Sequence, residues 1–110
     1  MIRRTLLALA LSLLAWSAIS VIAEARKPQT HQVVMDAMVF RPTSLTVRQG
    51  DTIVWINEDV VAHTATSASA GFDSNIVQPG KSWKHTVRAR GDFAYVCTYH
   101  PRMKGTLRVK

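Results

Sequence analysis

A thiolate, an imidazole and a thioether follow one another at intervals of three residues, at Cys97, His100 and Met103. All three are metal-ligand types, and Cys97 is the only cysteine in the sequence. Side chains three positions apart in a strand point to opposite faces, so these three converge only where the chain turns after Cys97. Pro101 favours such a turn because proline cannot continue a central strand. The spacing therefore predicts three ligands gathered on one turn.

A second imidazole would complete such a site, and His63 is the best placed of the remaining histidines. It follows a stretch of strong strand formers, Thr52–Asn57, after a short loop. His85 falls on the apolar face of an alternating segment, which favours a half-buried packing role. His31 lies in a polar segment without periodicity. We therefore predict His63 as the fourth ligand.

The four ligands would combine borderline and soft donors. A trigonal set of two His and one Cys with a weak axial Met is typical of blue-copper sites, whereas structural zinc favours more thiolates or histidines. The Cys-x-x-Cys-His motif of covalent haem attachment is absent from the sequence. The donor set therefore predicts one copper ion, cycling between Cu(I) and Cu(II), held by His63, Cys97, His100 and Met103.

Four protein ligands leave no open position for water or substrate, which a catalytic metal site requires. The carboxylates fall mostly at turns and strand ends, as solvated groups do, so no pair of them predicts acid–base catalysis. We therefore expect an electron carrier and not an enzyme. A copper chaperone or storage protein is the alternative, although a closed four-ligand site releases metal slowly. A copper oxidase fragment would need more histidines than the four present.

The first 25 residues have the pattern of an export signal. Two arginines at positions 3 and 4 precede an apolar run over residues 6–15, and an Ala-x-Ala cleavage signature ends at Ala25. We predict cleavage after Ala25, or after Ala23, and an exported, periplasmic protein. An uncleaved membrane anchor is the alternative, because weak apolarity continues through Ile22. No membrane association is expected after cleavage.

The remainder of the chain is short for an independent domain. Such a domain is marginal without disulfides or a metal, and one cysteine allows no internal disulfide. Residues 26–31 are polar and aperiodic, and we expect them to form a loose leader. Residues 32–110 alternate between short strand-like runs and turns, with no long helical period. Seven or eight strands at this spacing predict one all-β domain, a sandwich or a barrel. We expect a monomer.

The chain is basic, with 14 Lys and Arg against 7 Asp and Glu and a net charge of +7. These charges are scattered, and an exported protein has no evident nucleic-acid partner. The balance therefore favours steering toward an acidic protein partner over nucleic-acid binding, and a generic basic surface is the alternative interpretation.

The motifs together resemble the cupredoxins of the plastocyanin and amicyanin group. The Cys-x-x-His-x-x-Met spacing from Cys97 to Met103 is the short loop of amicyanin. The Gly-Asp-Thr of residues 50–52 with Trp55 and Asn57, and residues 91–95 before the cysteine, are also similar. The resemblance implies a Greek-key β-sandwich, a type 1 copper site and electron transfer between periplasmic redox partners. A dehydrogenase donor and a cytochrome acceptor would fit that role.

In this family the histidine of the cysteine loop reaches the surface inside an apolar patch through which electrons pass. The resemblance places that role on His100, flanked by Tyr99 and Pro101. We expect the docking patch there, with Arg102 and Lys104 selecting acidic partners.

One position departs from the family pattern. The first histidine ligand is usually followed by Asn, whose side chain ties the two ligand loops together, but Thr64 follows His63 here. We expect the Thr64 hydroxyl to form a shorter version of the same tie.

Overall fold

The computed structural model describes Ser17 and residues 26–110. The second part folds into nine strands, numbered in chain order. They are β1 (Thr30–Asp36), β2 (Val39–Arg41), β3 (Ser44–Val47), β4 (Thr52–Asn57), β5 (Thr66–Ser67), β6 (Phe72–Asp73), β7 (Ser82–Thr86), β8 (Gly91–Cys97) and β9 (His100–Val109). The predicted export signal, Ser17 apart, and its cleavage positions at Ala25 and Ala23 lie outside the described residues. Among the described residues, no helix is long and apolar enough to cross a membrane.

The strands form two mixed sheets that pack as a sandwich. One sheet has the order β2-β1-β4-β7 and the other the order β3-β9-β8-β5-β6. The β1–β4 and β3–β9 pairs are parallel and the other pairs are antiparallel. The predicted all-β sandwich is confirmed, with nine strands where seven or eight were expected. The difference comes from β5 and β6, whose two residues each are too few for an alternating pattern to reveal.

Alternation along the central strands creates the core between the sheets. Residues of β4 alternate between half-buried and buried along its whole length. Trp55 of β4 meets Tyr95 of β8 edge-on at 5.6 Å between ring centroids, and Phe40 meets Tyr95 at 4.7 Å. Each such buried aromatic contributes roughly 1.5–3 kcal/mol. Both sheets and this core lie within residues 30–109, so the chain from Arg26 onward contains a complete sandwich.

Thr30 and His31, which were expected at the end of a loose leader over residues 26–31, belong instead to strand β1. Strand β1 begins at Thr30, which pairs in parallel with Thr52 at the start of β4. Residues 26–29, which precede it, are exposed, and this accounts for their lack of an apolar period. They converge instead on Asp51, a carboxylate whose side chain is fully buried.

Asp51 organises this end of the sandwich by linking two segments, residues 26–31 and the turn at Arg48. Arg26 donates from its two terminal guanidinium nitrogens at 3.0 and 3.2 Å, and the Gln29 and Arg48 backbone N–H groups donate at 2.9 and 3.0 Å. The His31 Nε2 atom lies 2.8 Å from Asp51 Oδ2, the oxygen that also accepts the Arg48 N–H. The Arg26 hydrogen bond, foremost among these contacts, holds the pKa of Asp51 well below its usual range and outweighs the opposing effect of burial.

We expect Asp51→Asn to destabilise the fold by about 2–3 kcal/mol at neutral pH, because charge-assisted hydrogen bonds are lost from a buried group. The folded-state pKa lies below the unfolded value of about 3.9, so the carboxylate contributes fully above that value. Its contribution is lost as the pH falls from about 5 through the folded-state pKa. Urea unfolding at pH 7 and at pH 3 should therefore show the gap between wild type and variant shrinking in acid.

The matched control for this prediction is Asp92→Asn, because Asp92 is exposed and paired with an exposed Arg108. Its effect should stay within about 0.5 kcal/mol. A gap between wild type and Asp51→Asn that is the same at both pH values would contradict the assignment.

Candidate metal centre

Two connections at the same end of the sandwich supply the predicted ligands. His63 lies between β4 and β5, where its N–H and C=O both bond Val77, at 3.2 and 2.8 Å. Asn57, the last residue of β4, shapes this connection by donating from Nδ2 to the carbonyls of Val61 and Val77 at 2.8 and 2.9 Å. Cys97 is the last residue of β8, and Thr98 and Tyr99 separate it from His100, the first residue of β9.

The structure brings His63, Cys97 and His100 into one cluster. Their ligand atoms all lie within 4.8 Å of one another. The Cys97 Sγ atom is 3.7 Å from His63 Nδ1 and 3.5 Å from His100 Nδ1. His63 and Cys97 are fully buried, whereas His100 is partly exposed. The cluster therefore has a buried floor and one imidazole that reaches the surface.

Met103 joins this cluster through an irregularity in the β8–β9 ladder. Cys97 pairs with His100, yet Val96 pairs with Lys104, so residues 101–103 have no partners on β8. The loop of extra residues allows Met103 to bury its side chain, which is 2% exposed, beside His100 in the lining of one cavity of about 390 Å³.

The turn predicted after Cys97 is confirmed, but it is tighter than expected. It consists of Thr98 and Tyr99, and β9 begins at His100, so that His100 and Met103 lie on the strand and not in the turn itself. Pro101 therefore lies inside a strand. It is tolerated because it belongs to the bulge, where no ladder hydrogen bond requires its missing N–H.

Asp59 fixes the orientation of the His63 ring, a role that sequence reasoning missed by treating this carboxylate as solvated. His63 Nε2–H donates to the Asp59 carboxylate at 2.9 Å. The same carboxylate accepts the backbone N–H groups of Met38 and Val60 at 3.0 and 2.8 Å. The His63 hydrogen bond is the main cause that lowers the pKa of Asp59 to about 2. The spacing of four residues between Asp59 and His63 was the available signal.

Thr64 joins the two ligand-bearing connections, as expected from its position after His63. Its hydroxyl oxygen accepts the Thr98 N–H at 2.9 Å and lies 3.2 Å from the Thr98 hydroxyl. Its own backbone N–H donates to the Cys97 sulfur at 3.3 Å. One residue therefore ties the loops together and places a donor on the sulfur, where it stabilises the thiolate.

The other two histidines lie elsewhere. His85 stacks on Trp83 at 5.6 Å between centroids and contacts Phe72 at 4.8 Å, and burial lowers its pKa. This confirms the predicted half-buried packing role. His31 pairs with Asp51 at the opposite end of β4.

The cluster fits a thiophilic ion that also accepts imidazole. Asp59 engages Nε2 of His63, so that Nδ1 is the ring nitrogen that faces the Cys97 sulfur. The His100 Nδ1 atom faces the same sulfur. Two imidazole nitrogens, one thiolate and a buried thioether suit copper better than zinc, because structural zinc rarely takes a thioether.

Two mixed sheets with a His–Cys–His cluster at one end define a small metal-binding β-sandwich protein. The sequence model of the Cupredoxin-like domain matches residues 7–109. The chain therefore belongs to the cupredoxin-like family, which confirms the resemblance seen in its motifs. Cupredoxins carry one type 1 copper ion, and His63, Cys97, His100 and Met103 lie close together here.

Individual relatives agree with this membership. A plastocyanin from Scenedesmus fuscus is 30% identical over 87 residues, which cover 67% of this chain and 89% of that protein. An amicyanin from Paracoccus versutus is 25% identical over 95 residues, covering 81% and 72% of the two chains. The structure of a Cu-containing nitrite reductase from Thermus scotoductus SA-01 superimposes with a TM-score of 0.70 and 28% identity. It matches 84% of this chain but 25% of its own.

Removing the carboxylate beside His63 should weaken copper binding. We expect Asp59→Ala to lower copper affinity about 10- to 100-fold, because His63 loses the partner that fixes its tautomer and ring orientation. Competition against a chelator of known affinity measures the change. Glu58→Ala is the matched control, since Glu58 is an exposed acid one position away. Equal affinity for the two variants would show that Asp59 has no positioning role.

Proposed function

We propose that this chain is a periplasmic blue-copper electron carrier that shuttles single electrons between redox proteins. In this proposal His63, Cys97, His100 and Met103 are the ligands of one copper ion. The observation that carries the proposal is the meeting of three ligand atoms within 4.8 Å from two separate connections, with Met103 buried beside them. Family membership and the plastocyanin and amicyanin relatives support it.

The residues around the ligands would keep the site rigid during electron transfer. A bound copper ion would supply the one-electron couple. Asp59 restrains the His63 ring, and the Thr64 hydroxyl holds the turn at Thr98 against the His63 connection. The Thr64 N–H also donates to the sulfur, and such contacts tune redox potential. A site that does not rearrange on reduction exchanges electrons with little structural cost.

The surface around His100 supports its role as the route for electrons. His100 shares a cavity lining with the exposed side chains of Tyr99 and Met38, which are 55% and 41% accessible, and with Pro101. Arg102 and Lys104 are exposed on the same strand. An apolar patch around a ligand, rimmed by cations, suits brief docking of acidic redox partners. A dehydrogenase donor and a cytochrome acceptor are the partner classes we propose.

Export follows from the proposed signal over residues 1–25, with cleavage after Ala25 or Ala23. An oxidising compartment would endanger a free thiol, and Cys97 is protected there by complete burial among its co-ligands. The proposed location is therefore consistent with the chemistry of the site.

The alternative role as a copper chaperone or storage protein is disfavoured by burial. His63 and Cys97 have no exposed surface and Met103 is 2% exposed, so metal exchange would require the loops to open. An enzymatic role comparable to that of the nitrite reductase is also disfavoured. In residues 26–110, the cluster at Cys97 is the one grouping of three such ligands, and His31 and His85 are engaged elsewhere.

The test of function is to add Cu(II) to the chain beginning at Arg26 and record visible and electron-spin spectra during reduction and reoxidation. We expect an intense blue thiolate-to-copper absorption that disappears on reduction, returns on reoxidation and is absent from Cys97→Ser. Copper should stay bound through several cycles in the presence of a chelator. A colourless cupric form would refute the site, and rapid transfer of copper to the chelator would favour the chaperone role.

The docking surface makes a separate prediction about rates. We expect Arg102→Glu to slow oxidation of the reduced protein by the anion hexacyanoferrate(III) about 10-fold at low ionic strength, because a cation beside His100 is replaced by an anion. Lys84→Glu on β7 is the matched control with the same charge change. Stopped-flow rates over a range of salt concentrations measure the effect, and equal slowing in both variants would exclude the patch.

A further inference from the structure

The end of the sandwich opposite the metal cluster carries a groove lined by cations. Arg26, Arg48, Arg90 and Lys110 line it together with Gln49, and its volume is about 340 Å³. These four residues come from four separate places in the chain, namely the approach to β1, the exits of β3 and β9, and the approach to β8. We refer to this set as the basic end.

Little negative charge offsets the basic end. Two carboxylates lie near it. Asp51 is fully buried, with its oxygens occupied by Arg26, His31 and backbone N–H groups, and the exposed Asp92 is paired with Arg108. Within residues 26–110, neither Arg48, Arg90 nor Lys110 forms an ion pair, and all three are exposed. Exposed, unpaired guanidinium and ammonium groups around a groove suit phosphate groups, which arginine binds with two parallel hydrogen bonds.

The basic end is far from the proposed electron route. Strand β8 runs from Gly91, next to Arg90, to Cys97, and seven residues of strand span roughly 20 Å. A redox protein docked at the basic end would therefore be held away from the cluster. An occupant of the basic end that is not a redox partner leaves the surface around His100 free.

The sequence places an apolar, membrane-compatible stretch only a few residues before the basic end. The apolar stretch of the first 25 residues continues through Ile22, so three residues separate it from Arg26, whose side chain is bound to Asp51. Three residues span at most about 11 Å. A bilayer holding that stretch, whether during export or as a retained anchor, would therefore face the basic end directly.

We propose, contrary to the expectation from sequence that the cleaved chain has no membrane association, that the basic end binds the anionic headgroups of a lipid bilayer and holds the protein on the membrane with the His100 surface directed outward. Each cation close to an anionic bilayer strengthens partitioning about fivefold. Arg48, Arg90 and Lys110 together therefore account for a factor of about 100. The attraction is electrostatic, so it weakens as salt screens charges beyond about 8 Å at physiological ionic strength.

The test uses the copper-loaded chain beginning at Arg26, so that the apolar stretch does not contribute. Sedimentation with vesicles of pure phosphatidylcholine, or of phosphatidylcholine mixed with phosphatidylglycerol, measures partitioning in dilute buffer and in added salt. We expect binding to the mixed vesicles alone. The triple variant Arg48→Glu, Arg90→Glu, Lys110→Glu should lose it by a factor of about 100 or more.

A matched triple variant, Lys81→Glu, Lys84→Glu, Lys104→Glu, makes the same change in net charge away from the basic end. It should retain binding within about fivefold of wild type. A milder variant, Arg48→Gln, Arg90→Gln, Lys110→Gln, should lose an intermediate amount, and unchanged copper spectra confirm that each variant is folded. Equal losses in the two Glu variants, or no binding by wild type, would overturn the proposal. Binding of an acidic protein such as a polyglutamate-tagged carrier at the basic end, without vesicle binding, would assign it to a protein partner instead.

Discussion

The metal end depends on holding two connections from different parts of the sandwich against one sulfur atom. The turn at Thr98 and Tyr99 places His100 beside Cys97 by local geometry, but His63 arrives from the end of a strand in the other sheet. Thr64 supplies the link, because its N–H reaches the sulfur and its hydroxyl accepts the N–H of Thr98. That link couples the two connections directly to each other, in addition to the contacts that hold each of them to its own sheet.

The contacts of Thr64 can fix the positions of the ligands because the sandwich beneath them is rigid. Trp55 and Tyr95 pack across the sheets two residues before Asn57 and Cys97, which end their strands at the metal cluster. Asn57 then fixes the His63 connection through the carbonyls of Val61 and Val77. Close packing in the core therefore restrains the strand ends two residues further along, from which the ligands project. A frame of this kind suits a site that should keep one geometry in two oxidation states.

Sequence reasoning succeeded where local spacing determines the structure. The intervals between Cys97, His100 and Met103 required a turn, and the alternating strands predicted the sandwich. It failed for Asp51 and Asp59, which were taken as solvated turn carboxylates. Their burial depends on partners, such as Arg26 and Met38, that lie more than 20 residues away. Contacts between residues so far apart produce no periodic pattern in the sequence. The polar segment before β1 was interpreted as unstructured for the same reason.

Asp51 and Asp59 make the same kind of contacts at the two ends of β4 but have different roles. Asp51 precedes the strand and Asp59 follows it, and each accepts backbone N–H groups and the Nε2 of a histidine. At the basic end the arrangement includes Arg26, so the charge of Asp51 is neutralised internally and its role is to hold the segment that precedes β1. At the metal end the histidine turns its other nitrogen toward Cys97, and the carboxylate orients a ligand. The division leaves one end rich in free cations and the other centred on a partly exposed imidazole. Because rigid strands separate the two ends, a surface can be occupied at the first without obstructing electron exchange at the second.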